Sequence, residues 1–127
     1  MGQTVLDQLA AFRRGDFGAA YGFASATIRT QFTLEAFQEM VTRGYAPIAR
    51  SARGTVLGTR LLDAQHGYVE IRVVGQDGQS IDALYELVDE QGEWKINGVL
   101  TRPTEPGETA RGRARPAPGP FALSHRD

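Results

Sequence analysis

The stretch Ser80–Leu100, SIDALYELVDEQGEWKINGVL, can be registered against the run before it so that one sheet face is dry and the other charged. Asp77-Gly78 is a hairpin signal between Val69–Val74 and Ser80–Val88. A two-residue loop would set Val73 opposite Asp82 and Val69 opposite Glu86, mixing apolar and acidic positions on both faces. A three-residue loop, Gln76-Asp77-Gly78, with Gly78 at positive φ, repairs the parity. Val73 then faces Ile81, Ile71 faces Ala83 and Val69 faces Tyr85, while Arg72 and Asp82 pair on the reverse side. For the next connection, a four-residue loop Asp89–Gly92 sets Leu87 against Trp94, Tyr85 against Ile96, Ala83 against Gly98 and Ile81 against Leu100. It also puts Glu86 opposite Lys95 and Leu84 opposite Asn97, leaving Val74, Leu84, Val88 and Val99 on the outer face.

The front half reads as helical. Val5, Leu9 and Phe12 follow helical spacing into Arg13-Arg14-Gly15, a basic last turn followed by a glycine stop. Asp16 is placed to cap a second helix carrying Phe17, Ala20, Tyr21 and Ala24, with Ser25–Arg29 as a turn or irregular helix. Thr33 opens a third helix whose stripe is Leu34, Phe37, Met40 and Val41, ending at Gly44. Tyr45-Ala46-Pro47 is expected to be extended, because the residue before a proline avoids helical angles. Thr55–Leu62 is a first long strand, and Asp63–Gly67 turns back from it. Helices followed by antiparallel strands give an α+β fold, with N-terminal helices packed on one face of a curved antiparallel sheet of about four strands. One domain is expected over residues 1–102. Residues 103–127 hold five of the six prolines, with Arg111, Arg113 and Arg115, and read as a flexible tail.

The segments QLAAFRRGDFGAAYGFASATIRTQF, FQEMVTRGYAPIAR and ALYELVDEQGEWKINGVL carry Ala11-Phe12, Asp16, Phe23-Ala24-Ser25, Gly44-Tyr45, Pro47 and Trp94-x-Ile96-x-Gly98. In these marks the chain resembles the bacterial family catalogued as domain of unknown function 4864, over Val5 to about Leu100. It differs from that pattern at Ala26 and near Val99, where relatives have a proline and a cysteine. The wider likeness is to the nuclear transport factor 2-like, or cystatin-like, cone. That superfamily includes isomerases, dehydratases, transport adaptors and non-catalytic ligand binders, so the resemblance implies a fold and leaves the activity open.

Composition narrows the choice. A net charge of −1 argues against a general nucleic-acid binder, and the absence of cysteine removes disulfides and thiolate chemistry. No apolar run approaches the roughly 20 residues of a membrane helix, and the start lacks a signal-peptide pattern. The chain as given is expected in the cytoplasm, although Val5 already lying in a helical pattern is compatible with an upstream leader. His66 and His125 have no second ligand at metal spacing, and neither a metal nor a cofactor is expected.

An isomerase-like site needs a carboxylate inside the cone, yet Glu70, Asp82 and Glu86 all register to the outer face and Asp16 is a cap. No catalytic residue is assigned. Tyr21, Arg29, Tyr45 and Tyr85 are the polar groups expected to meet at the cone's mouth and hold a small ligand; core tyrosines and a solvated arginine are the plainer reading. Two functions stay open: a non-catalytic ligand-binding or assembly module, and an isomerase or hydratase using a misplaced acid. The apolar content of the outer face suggests a homodimer through it, centred near Leu84.

Overall fold

A computed structural model describes residues 1–104. Five helices, α1 (Gly2–Arg13), α2 (Phe17–Gly22), α3 (Ala26–Gln31), α4 (Leu34–Gly44) and α5 (Ala46–Ala49), precede four strands, β1 (Ser51–Leu61), β2 (His66–Gly75), β3 (Ser80–Glu90) and β4 (Glu93–Pro103). The strands form one curved antiparallel sheet in the order β1-β2-β3-β4, so the fold is α+β with helices on one face. No helix among the described residues is long and apolar enough to cross a membrane.

Local capping sets the helix starts. The side chains of Asp16, Ser25 and Thr33 accept hydrogen bonds from the backbone N–H of Ala19, Ile28 and Ala36, satisfying donors that a helix start otherwise leaves open. Replacing Asp16 with alanine should cost about 1 kcal/mol in urea unfolding, with little change in far-UV circular dichroism. Ser25 thus opens a regular helix rather than a turn. Leu34 departs from the expected stripe: it is the first residue of α4 and 36% exposed, while Phe37, Met40 and Val41 are buried. The segment after Gly44 is also not extended. Pro47 lies in the first turn of α5, where a helix does not need the missing N–H.

The β2–β3 hairpin follows the three-residue loop. Gly78 has φ +85, Val73 pairs with Ile81 and Arg72 with Asp82. The β3–β4 connection does not follow the expected four-residue loop. The turn is the two residues Gln91-Gly92, both at positive φ, with Glu90 opposite Glu93. Leu87 therefore pairs with Ile96, not Trp94, and Trp94 stands half-buried opposite Asp89. A bulge between Glu86 and Leu87 then shifts the register again, pairing Tyr85 with Val99 and Leu84 with Leu100. Val99 is consequently a core residue at 1% exposure, and Glu86 is bonded by Asn97 rather than facing Lys95.

The core lies between α1, α4, α5 and the inner sheet face, where Val69, Ile71, Val73, Tyr85, Leu87, Ile96 and Val99 are buried. Gly54 lets α1 approach β1 closely, since a Cβ there would stand 2.7 Å from Leu9. The two sheet edges differ. Beside β4, Ser25 N–H donates to Ile96 C=O and Ile96 N–H to Phe23 C=O, so the α2–α3 link closes that edge. Pro103 is the last residue of β4 rather than the first of a tail; the tail expected beyond it lies outside the described residues apart from Thr104.

Candidate functional site

Three of the concavities among the described residues bear on function. The first is closed. Gln8 and Phe12 of α1, Phe37 and Val41 of α4, Tyr45 and Ile48 at α5, and Tyr85 and Val99 of the sheet surround about 10 Å³ of empty space. That is about the room one water molecule requires. Tyr85 is 1% exposed, and its hydroxyl has no hydrogen-bond partner among the described residues. Burial pushes its pKa well above the ordinary phenol value, and nearby Tyr45 adds to the shift, so the hydroxyl remains a protonated donor at neutral pH. Among the described residues no carboxylate lines this space.

The four residues expected at a cone's mouth fall into two pairs. Tyr45 and Tyr85 meet at the closed cavity. Tyr21 and Arg29 lie at the α2–α3 end, where the Tyr21 hydroxyl reaches the carbonyls of Arg29 and Phe32. Arg29 Nε donates to Ala24 C=O at 3.1 Å, and its guanidinium lies 3.8 Å from Glu90. Phe37 stands between the pairs, its ring 5.3 Å from that of Tyr21 while it also lines the cavity. Tyr21 and Arg29 are thus engaged in fastening α2 and α3.

The second concavity is an open trough of about 510 Å³ on the outer sheet face. Gly58, Glu70, Leu84 and Leu100 form one row across all four strands, with Arg60 and Tyr68 in the row beside them. At one end, Asp82 accepts bidentate hydrogen bonds from Arg72 at 2.8 and 3.1 Å, and a third from Thr104 at 2.9 Å. Arg102 stands 3.8 Å away. The Arg72–Asp82 pair is readable from parity; Arg102 and Thr104 join it only through the bulged β3–β4 register, which sequence reasoning missed. The hydrogen bond from Arg72 leads in holding the Asp82 carboxyl below its usual pKa, against the opposing effect of burial.

The third is a surface hollow of about 380 Å³ between α5 and the β2–β3 turn, bounded by Ala46, Pro47, Arg50 and Gly75–Asp77. His66, the first residue of β2, bonds Asp63 of the exposed β1–β2 turn at 2.9 Å. Among the described residues no group of three or more acidic, histidine or cysteine side chains could hold a metal.

Comparison with curated proteins and with solved structures gives no match. Comparison with protein families does: the profile described as "Domain of unknown function (DUF4864)" matches residues 1–109, which take in every described helix and strand. By that match the chain belongs to the DUF4864 family.

Proposed function

We propose that the protein is a nuclear transport factor 2-like cone acting as a non-catalytic assembly module, which pairs with a second copy of itself through the outer sheet face. The trough carries this reading. Leu84 remains 37% exposed at its centre, beside Leu100, on a face that no helix among the described residues covers. Gly58 stands at the β1 bulge that follows Val56, and a Cβ there would meet nothing within 4 Å, so the trough floor is open at that point.

Charge supports a twin as the partner. Arg60 and Glu70 both line the trough, and among the described residues neither has an ion-pair partner within 4 Å. A two-fold axis near Leu84 would bring Arg60 of each copy to Glu70 of the other, using both charges twice. Sedimentation velocity at micromolar concentration tests this. The wild-type chain should sediment as a dimer and Leu84→Glu as a monomer. Arg60→Glu and Glu70→Arg should each weaken the dimer about tenfold, and the double variant should restore it. A monomeric wild type, or a double variant no better than the singles, contradicts the proposal.

A further inference from the structure

We infer that the free edge of β1 is a docking site for an extended acidic peptide of another protein. The peptide adds to the sheet as an antiparallel strand, with its apolar residues toward Leu61 and its acids toward Ser51. The backbone supplies the first observation. β1 ends the strand order, and of the two sheet edges only that of β4 is closed by the α2–α3 link. From Arg53 to Leu61 the strand pairs with β2 alone among the described residues, and most of its side chains are exposed. Such an edge leaves a row of N–H and C=O groups without ladder partners, which is what an added strand uses.

Charge selects the occupant. Among the described residues, every arginine and lysine away from this edge has an ion-pair partner within 4 Å. Arg13, Arg50, Arg53 and Arg60 have none, and all four belong to it. Arg53 and Arg60 are in β1, Arg50 immediately precedes it, and Arg13 Nη1 donates to Ser51 Oγ at 3.3 Å. No acid occurs from Ser51 to Leu62. Arg60 also serves the trough, so the positive charge left over gathers at the Ser51 end. The other end is apolar: Leu57, which a bulge leaves without a partner on β2, is exposed, as are Leu61 and Leu62. A second copy's β1 would bring its own arginines and no acid, so the charges that repel a twin attract an acidic strand. A nucleic acid would match the charge but use neither the leucines nor the backbone edge. The two bulges of β1 leave Arg53–Val56 between them as a regular run for pairing. This edge is separate from Leu84 and does not depend on dimerisation.

The labelled peptide Ile-Val-Thr-Val-Thr-Glu-Asp-Glu makes the test, beside its reversed sequence and a version N-methylated through the central Thr-Val-Thr. Fluorescence anisotropy with the full chain should show the forward peptide binding about tenfold more tightly than the reversed one, which carries the same charge. The N-methylated version should bind weakest, and added salt should weaken all of them. Arg53→Glu should cost the forward peptide about tenfold in affinity without altering circular dichroism. Leu84→Glu should bind it as the wild type does, which separates this edge from the trough. Hydrogen exchange should slow over Arg53–Leu61 when the peptide is bound. Several outcomes overturn the inference: no binding, equal binding of the forward and reversed peptides, undiminished binding of the N-methylated one, or tighter binding of an oligothymidylate of equal charge. So would slowed exchange confined to β3 and β4. Protection of the β1 edge in the free chain that is lost on dilution would give the edge to a second copy instead.

Discussion

Phe37→Ala should lower stability by about 3–5 kcal/mol, the range for removing a fully buried phenyl ring, and reduce Tm by on the order of 20 °C for a domain of this size. Phe37 is fully buried, stacks on Phe12 at a centroid distance of 6.2 Å and meets Tyr21 at 5.3 Å. Its loss would open a void contiguous with the cavity at Tyr85, where a rigid sheet on one side limits collapse. Leu34→Ala in the same helix should cost less than about 1 kcal/mol, because Leu34 is already exposed. Urea unfolding of the two variants measures the contrast. A loss below about 1.5 kcal/mol for Phe37→Ala would mean that α4 does not pack as described.

The second large effect is pH-dependent. Asp82 has its pKa lowered in the folded chain, chiefly by the Arg72 hydrogen bond and further by Thr104 and Arg102. A carboxylate whose folded pKa lies below its unfolded value stabilises the fold fully above the unfolded value. That contribution is lost as pH falls toward and through the folded one. Asp82→Asn should therefore cost about 2 kcal/mol at pH 7, a figure reduced for the solvent that reaches the 43%-exposed Arg72 side chain. The difference from wild type should stay constant down to about pH 5 and shrink below about pH 4. Denaturant unfolding across roughly pH 2.5–7 reads it directly. A wild-type and variant gap that persists unchanged at the acid end of that range would show that packing, not charge, sustains the site.

The legible parts of the fold are those where independent signals agree. For β2–β3, apolar alternation, an Asp-Gly turn and the Arg72–Asp82 pairing all select one register, and that register is the one formed. For β3–β4 they separate. Glutamine seldom adopts positive φ, so Gln91-Gly92 does not announce itself as a complete two-residue turn. The bulge opposite Glu86 and Leu87 then reverses the parity of everything after it, which moves Val99 inward and Leu100 outward. A bulge costs one residue and leaves no mark in hydrophobic alternation that short sequences can distinguish from noise. The closed cavity is hidden for a related reason. Tyr45 and Tyr85 are distant in sequence, and their meeting depends on α5, a helical turn masked by the preference of residues before proline for extended angles.

The seam between the α2–α3 link and β4 also constrains the order of folding. Ala24 bridges Ile96, so a segment near the start completes its hydrogen bonds only with the last of the described strands. During synthesis the helical half emerges first with its apolar faces uncovered, and it cannot close until β4 has left the ribosome. The long loop between these partners makes the closing step slow relative to local helix formation. The nascent helices therefore have a window in which they are exposed to aggregation or to chaperone capture.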